Sequence, residues 1–283
     1  MPHLPNVKFT QRQHREKEYY EKYFEQNKIS GNIDFSPIDG VIHGTERRPW
    51  NSYWRTYEVP IISYRELTSK MKTEVNLLDF GCGPGDNALR FSRAGFKVTG
   101  FDICENNIES CKTLFKENNV EGHFIVSVAE ELPFADESFE VVAGIDILHH
   151  VDIVKSIKEV RRVLKKGALA IFREPIEVPI LDNLRNTTLV KMFIPNKPSF
   201  EKHITEDERK LNKVDLELIE NFFPDITVER SLILSRLDKF VRSRKNTKAS
   251  FLEKVDHTLC KYVPYYKNLG GAAVIIFRKR HDV

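Results

Sequence analysis

Three glycines at alternate positions give this sequence its clearest site for chemistry. They lie in the run DFGCGPG, residues 79–85. Glycine lets the backbone turn sharply, and it lets a ligand lie close to the chain because no Cβ is in the way. Asp102 follows about twenty residues later, and a carboxylate at that spacing can accept both hydroxyls of a ribose. The pattern therefore predicts a binding site for a ligand that contains a nucleoside.

The same turn lacks the features of two common phosphate-binding motifs. A dinucleotide fold has the spacing GxGxxG, but this chain carries Asp86 at the last of those positions, and a carboxylate suits a pyrophosphate poorly. The Gly-Lys-Ser/Thr of a phosphate loop is also missing. The spacing GxGxG, with Asp79 before it and no phosphate-binding cation, favours a cofactor without phosphates. S-adenosylmethionine is the obvious candidate.

Short apolar segments supply the elements that must position this turn. The run Val75–Phe80 is too short for a core helix and ends in glycines, which predicts a buried parallel strand. Asp86 can cap a helix that runs to about Arg93, and a second strand over residues 97–101 leads into Asp102. This order predicts an α/β fold with the ligand at the carboxyl end of a parallel sheet.

The alternation of helices and strands continues beyond Asp102. It predicts helices over Glu105–Glu117 and residues 154–164, and strands over residues 123–128, 140–145 and 167–172. In open α/β sheets, ligands bind outside the carboxyl ends of the strands. The best catalytic candidates by position therefore follow the fourth strand, and they are Asp146, His149 and His150.

Five motifs in this order resemble the core of class I S-adenosylmethionine-dependent methyltransferases. They are LLDFGCGPG, VTGFDI, AEELPFADESFEVV, ILHHV and EVRRVLKKGALAIFREP, all within residues 77–175. The resemblance is greatest to the ubiquinone/menaquinone-biosynthesis-like (UbiE-like) branch. It implies a Rossmann-like sheet of seven mostly parallel strands with helices on both faces, a helical N-terminal lid and a helical insert before the last strand. It also implies methyl transfer from S-adenosylmethionine.

The resemblance implies a set of cofactor-binding residues. They lie in the glycine turn and after the second, third and fourth strands: Asp79, Gly81, Cys82, Gly83, Asp102, Ile103, Ala129, Glu130 and Ile145. The family commonly has an acidic residue just before Ala129, where this chain has Val128. The contact with the adenine amino group then moves to Glu130 or to a backbone carbonyl.

The first 72 residues are expected to form a helical lid or substrate region, with the methyltransferase domain over residues 73–283. Residues 11–27 are dense in Glu, Lys and Tyr, and their aromatic side chains recur at helical spacing, which predicts an amphipathic helix. This helix either packs on the sheet or covers the cofactor and substrate.

A second N-terminal segment is rich in arginine and tryptophan. Here Arg55 or Arg48 meets a carboxylate of the cofactor or of the substrate, or both arginines are solvated beside an aromatic core. Asn51 can cap a helix in this segment, and Pro60 is expected to break or kink it.

Two routes for methyl transfer remain open. If the nucleophile is a hydroxyl, a base assists, and His149 or His150 suits that role near neutral pH; alternatively, the two histidines only shape the strand end. If the nucleophile is an electron-rich carbon, aromatic side chains and carboxylates stabilise the developing charge. The candidates for that role are Trp50, Trp54, Tyr57, Asp146 and Glu174, although Glu174 is also typical of a solvent-facing strand end. No residues have metal-ligand spacing, so no metal is expected.

The C-terminal part predicts a looser arrangement that ends in a strand. Helices are expected over residues 180–193 and 205–222, a sixth strand over residues 226–234, and a seventh over Ala272–Arg278. In the resembled family the seventh strand is usually antiparallel. An insertion of about residues 235–270 contains the basic run KFVRSRKNTK. That run is a solvated helix face, or it contacts an acidic membrane surface or a phosphorylated substrate.

The composition narrows the class of protein. The 283 residues carry a net charge of +3, too small to indicate nucleic acid as a partner. Four cysteines without a CxxC pair are typical of reduced thiols in a cytosolic protein. No apolar run approaches the ~18 residues of a membrane span, and no signal peptide is recognised. A cytoplasmic enzyme without stable membrane insertion is therefore expected, and the sequence does not indicate its oligomeric state.

The expected acceptor is a small molecule, hydrophobic or phosphorylated, from secondary metabolism, quinone or isoprenoid chemistry, or glycan biosynthesis. The alternatives are methylation of RNA or protein, and a protein that binds S-adenosylmethionine without catalysis.

Overall fold

The computed structural model describes residues 9–26, 33–43, 52–70, 74–179, 209–238, 250–263 and 265–280. In these ranges, the strands are β1 (Val75–Phe80), β2 (Phe96–Asp102), β3 (Gly122–Val126), β4 (Phe139–Ile145), β5 (Leu164–Pro175), β6 (Ile226–Ser231) and β7 (Ala272–Arg278). They form one sheet in the order β3-β2-β1-β4-β5-β7-β6. β7 is antiparallel to both of its neighbours, and the other strand pairs are parallel. The expected seven-stranded, mostly parallel sheet is confirmed.

Helices cover both faces of this sheet. In the described ranges they are α1 (Gln11–Gln26), α2 (Ser36–His43), α3 (Ser52–Lys70), α4 (Asp86–Arg93), α5 (Glu105–Glu117), α6 (Ile153–Val163), α7 (Lys213–Phe222) and α8 (Phe251–Tyr262). Short 3-10 turns lie at Leu148–His150, Leu234–Leu237 and Tyr266–Leu269. α3, α4 and α5 pack on one face, and α6 and α7 pack on the other.

The position of β1 inside the sheet explains why its sequence is almost continuously apolar. Leu77 and Leu78 are both fully buried, but they belong to different hydrophobic clusters on opposite faces of the sheet. Successive side chains of a strand point to opposite faces, so a strand covered by helices on both sides needs apolar residues at consecutive positions.

Several predicted boundaries need correction. The helix does not end at Pro60, because α3 continues to Lys70. Tyr57, Ile61 and Tyr64 of that helix are buried against the sheet, and this packing outweighs the roughly 3 kcal/mol that an interior proline costs. α4 is capped by the backbone at Gly85 and not by a side chain.

The C-terminal elements also differ from expectation. The helix predicted over residues 205–222 begins at Lys213, because Asn212 accepts hydrogen bonds from the backbone of Val214 and Asp215 and so fixes the helix start. β6 ends at Ser231, three residues earlier than predicted.

Some predicted features lie outside the described residues. They are the helix over 180–193, the start of the helix at 205–208, the basic run at 239–248, and Arg48, Trp50 and Asn51. None of the helices that the structure describes is long and apolar enough to span a membrane.

Candidate active site

A cavity of about 630 Å³ opens at the carboxyl edge of the sheet. Ten of the residues proposed from the sequence line it: Gly81, Cys82, Gly83, Asp102, Ile103, Ala129, Glu130, Ile145, Asp146 and His150. The other proposed residues that the structure describes lie outside its lining: Asp79, Arg55, Trp54, Tyr57, His149 and Glu174. Side chains from α1 and α3 supply further parts of the wall, namely Gln13, Glu16, Tyr20 and Tyr53.

The glycine turn presents open backbone to this cavity. Gly81, Gly83 and Gly85 have φ values of 73°, 50° and 99°, a backbone region that residues other than glycine rarely adopt. A Cβ on Gly81 would lie 2.7 Å from Ile147, and one on Gly85 would lie 2.8 Å from the Sγ atom of Cys111. At Gly83, by contrast, no atom of the described residues other than Gly83 and its chain neighbours lies within 4 Å of the Cβ position. A ligand can therefore approach the chain most closely at Gly83.

Asp102 is held rigidly beside this open position. Its Oδ2 atom accepts the N–H of Gly83 at 2.9 Å. Its Oδ1 atom accepts the N–H of Cys104 at 2.9 Å and the Asn107 side-chain amide at 3.1 Å. Burial raises the pKa of Asp102, although these hydrogen bonds act in the opposite direction. The carboxylate is thus fixed in orientation, and Asn107 is a supporting residue that the sequence reasoning missed.

Three carboxyl groups surround the turn and make it a poor site for an anion. Asp79 lies in β1 with only 2% of its surface exposed, and its Oδ2 atom has no hydrogen-bond partner among the described residues. Burial, followed by the charges of Asp86 and Asp102, raises the pKa of Asp79 from 3.8 to about 8. A pyrophosphate would add to this repulsion, whereas a cation would relieve it. S-adenosylmethionine carries a sulfonium and an ammonium group, so these residues fit that cofactor.

Tyr53 and Asn87 form a polar wall near the start of α4. The Tyr53 hydroxyl donates to the Asn87 Oδ1 atom at 2.8 Å. Arg90 lies behind them, and its Nη1 atom donates to Asp86 at 2.7 Å and to the Tyr53 hydroxyl at 2.9 Å. The sequence reasoning did not identify this group, although the aromatic side chains at 53, 54 and 57 were a signal.

Arg55 does not take the place expected of it. Its guanidinium donates to Glu229 at 2.9 Å and to Glu58 at 3.0 Å. The carboxylate that it meets therefore belongs to the protein, on β6. The predicted contact of Arg55 with a cofactor or substrate carboxylate is replaced by this internal ion pair.

Glu174 and His149 form a buried pair at the ends of β5 and β4. The His149 Nδ1 atom lies 2.7 Å from one oxygen of Glu174, and the other oxygen accepts the N–H groups of Ile147 and Leu148 at 2.9 and 2.8 Å. Glu174 is fully buried, so it is not a solvent-facing strand end. The pair fixes the backbone that carries His150.

His150 faces the cavity and contacts α1. Its Nε2 atom lies 2.9 Å from the Tyr20 hydroxyl, and its Nδ1 atom lies 3.3 Å from a Glu16 carboxylate oxygen. Asp146, which lines the same part of the wall, pairs with Arg173 and has a φ of 55°. A positive φ is uncommon for aspartate, and such strained residues cluster at functional sites.

α1 contributes side chains to the cavity wall and contacts the wall at two positions. Besides the contact between Tyr20 and His150, the Gln13 side-chain amide donates to Glu130 at 2.9 Å. The second oxygen of Glu130 accepts the N–H of Asp152 at 3.0 Å. Both expectations for this helix, packing on the sheet and covering the cofactor and substrate, stay predictions, and these contacts place side chains of α1 in the cavity wall.

Thiols pack beneath the glycine turn. The Sγ atoms of Cys82 and Cys111 are 3.7 Å apart, and the Cys111 thiol donates to the Gly83 carbonyl at 3.2 Å. Burial raises the pKa of Cys82 well above its usual value. In the described part of the chain, no group of three or more His, Cys, Asp or Glu side chains is placed to hold a metal ion.

A comparison with protein families gives a match over the segment that contains most of the cavity lining. Residues 78–172 match the family model Methyltransf_11, described as "Methyltransferase domain". The match contains the glycine turn, Asp102, Ala129 and both histidines. This segment is therefore similar to a methyltransferase domain.

Two curated relatives are named as methyltransferases of quinone compounds or of quinone biosynthesis. The chain is 32% identical over 148 residues to a demethylmenaquinone methyltransferase of Chlorobaculum parvum, covering 51% of this chain and 55% of the relative. It is 36% identical over 100 residues to a ubiquinone biosynthesis O-methyltransferase of Rickettsia akari, covering 35% and 39%. The chain therefore spans about half or less of the length of these relatives.

A solved structure extends the similarity of fold over nearly the whole chain. The geranyl diphosphate C-methyltransferase of Streptomyces coelicolor covers 97% of this chain and 100% of its own, with a TM-score of 0.56. At 15% sequence identity, this similarity establishes the fold alone.

Proposed function

We propose that this chain transfers the methyl group of S-adenosylmethionine to a hydroxyl group of a small, largely apolar acceptor. The observation that carries the proposal is the rigid Asp102 carboxylate beside the open backbone of Gly83, in a turn whose acidic groups favour a cation. The matched relatives act, by their names, in quinone biosynthesis.

The cofactor would be held along the glycine turn. Asp102 would accept the ribose hydroxyls, because its own donors leave it fixed and facing the cavity. Ala129 and Glu130 would border the adenine, and the wall of Tyr53 and Asn87 would border the amino-acid end. When bound, S-adenosylmethionine supplies a methyl group that is already electrophilic.

His150 is our candidate for the general base. In this proposal His150 would carry its proton on Nδ1, which lies 3.3 Å from a Glu16 carboxylate oxygen, and Nε2 would then be free to accept a proton. The Tyr20 hydroxyl lies next to Nε2 in this structure. The hydroxyl of the substrate would either replace the Tyr20 hydroxyl there or pass its proton to His150 through Tyr20. Glu174 and His149 are positioning residues, because they hold the backbone before His150.

The remaining wall suggests the class of acceptor. Tyr20, Ile147 and Val151 line the cavity together with His150, and apolar walls with few polar groups favour an aromatic or isoprenoid ligand. In this proposal α1 acts as a lid, which excludes water from the reacting atoms.

Calorimetry tests the cofactor site. S-adenosylmethionine and S-adenosylhomocysteine are expected to bind the wild type and to lose binding in Asp102→Ala. Asp136→Ala is the matched control, because it removes an exposed carboxylate outside the cavity lining. Absence of binding by both compounds, or equal binding by the two variants, would contradict the assignment.

Methyl transfer is then tested with a panel of phenols, hydroquinones and prenylated phenols, with products detected by mass spectrometry. Transfer to oxygen is expected, with loss of turnover but retention of cofactor affinity in His150→Gln. Methylation of carbon at an unchanged rate in His150→Gln would refute the role of His150.

A further inference from the structure

The insertion before the last strand lies at the same edge of the sheet as the cavity. β6 ends at Ser231, which pairs with Ala272 at the start of β7. Ala272 also pairs with Pro175 at the carboxyl end of β5. The chain therefore leaves and rejoins the sheet at its carboxyl edge, where the cavity opens.

α8 and the turn that follows it expose large aromatic side chains from this insertion. Phe251 is 77% exposed, Tyr262 69% and Tyr265 82%. Phe251 and Tyr262 are eleven positions apart, close to three helical turns, so they share one face of α8. An apolar patch that is contiguous and rimmed by polar residues marks an interaction site.

The charges on α8 are divided between its two sides. Both acidic residues of α8 are buried in internal contacts. Glu253 accepts the N–H of Ser250 at 2.7 Å, and Asp256 accepts backbone N–H groups at the start of the 3-10 turn Leu234–Leu237 at 2.8 to 3.0 Å. The exposed charges of this helix are those of Lys254 and Lys261. The sequence that leads into α8, KFVRSRKNTK, adds five basic side chains and no acidic one.

We propose that Phe251, Lys254, Lys261, Tyr262 and Tyr265 form a basic-aromatic face that binds the surface of an anionic lipid bilayer. Lysines are attracted to acidic headgroups, and amphipathic aromatic rings lie favourably at the boundary between headgroups and acyl chains. Binding of this kind is peripheral. It would place the mouth of the cavity on the side where an apolar acceptor leaves the membrane.

Vesicle co-sedimentation tests the face independently of methyl transfer. The full chain is expected to bind vesicles of phosphatidylcholine with phosphatidylglycerol more strongly than vesicles of phosphatidylcholine alone, and added salt should weaken the binding. Lys254→Gln with Lys261→Gln should weaken binding by roughly 25-fold, since each lysine near an anionic surface contributes about fivefold. Serine at Phe251, Tyr262 and Tyr265 should weaken it at least about tenfold.

A matched control carries the same change of charge elsewhere. Lys112→Gln with Lys116→Gln alters two exposed lysines of α5, and it should leave vesicle binding within about twofold of wild type. Circular dichroism and affinity for S-adenosylmethionine show whether each variant is folded, so a failed membrane test stays distinct from a failed cofactor site.

Three results would overturn the bilayer as partner. The first is equal binding to neutral and anionic vesicles, and the second is equal loss in the α5 control. The third is a gel shift with single-stranded RNA that depends on the basic-aromatic face while vesicles do not bind. Vesicle binding that stays unchanged when residues of the basic-aromatic face are substituted would likewise show that the face has no role in lipid binding.

Discussion

Asp79→Asn should stabilise the protein relative to the wild type, by an amount that increases as the pH rises. Asp79 is buried in β1, and burial together with Asp86 and Asp102 raises its pKa from 3.8 to about 8. Between these two values the folded state holds a proton that the unfolded state has released. The free energy of unfolding therefore falls as the pH rises from about 4 to about 8, at a limiting slope of about 1.4 kcal/mol per pH unit.

Asparagine has nearly the same volume and cannot ionise, so the variant lacks this slope. The difference in free energy of unfolding, variant minus wild type, should grow by about 1.4 kcal/mol for each pH unit up to about pH 8 and then level off. The whole shift corresponds to an upper limit of roughly 6 kcal/mol. Because Asp79 is buried, solvent screens this effect little.

Urea denaturation of the cofactor-free protein at several pH values measures the difference. Asp136→Asn is the control, since it makes the same substitution at a carboxylate that is 75% exposed. If the Asp79→Asn difference were constant, or became smaller as the pH rose, the assignment of a neutral Asp79 at the glycine turn would be wrong.

Three further substitutions probe the site. Asp102→Ala should reduce the affinity for S-adenosylmethionine by about 100-fold or more in calorimetry, because hydrogen bonds to a charged group contribute roughly 1.5–3 kcal/mol each. Gly85→Ala should lower the free energy of unfolding by about 1–3 kcal/mol in urea denaturation, because a Cβ there meets Cys111 at 2.8 Å with φ at 99°; an unchanged stability would mean that the turn can relax. Glu174→Gln should lower the free energy of unfolding by about 1–3 kcal/mol, because the buried hydrogen bond to His149 changes. It should also lower turnover more than cofactor affinity; equal loss of both would argue for a general structural role.

The cofactor side of the molecule could be predicted because its information is local. The strand, the glycine turn and the following helix occupy consecutive residues, and parallel topology then brings Asp102 and the end of β4 to one edge. Period and turn chemistry are enough for such elements. The glycine spacing alone also distinguished a cofactor without phosphates from a dinucleotide.

The acceptor side depends on contacts between distant parts of the chain. Tyr20 reaches His150 across 130 positions, and no local pattern indicates that pairing. Arg55 shows the same limit from the other direction, because the sequence suggests a carboxylate partner but cannot specify Glu229, 174 positions away. At Pro60 the sequence predicts a break or kink because an interior proline destabilises a helix. It does not reveal that α3 packs on the sheet and continues to Lys70.

The division of the cavity wall along the chain has an evolutionary consequence. Apart from Tyr53 of α3, the groups proposed to hold the methyl donor fall inside residues 78–172, whereas α1 precedes that range and the insertion follows it. Selection can thus replace, lengthen or remove α1 and the insertion without disturbing the strand order or the donor contacts. New acceptors can be acquired by descent with a conserved centre and divergent ends.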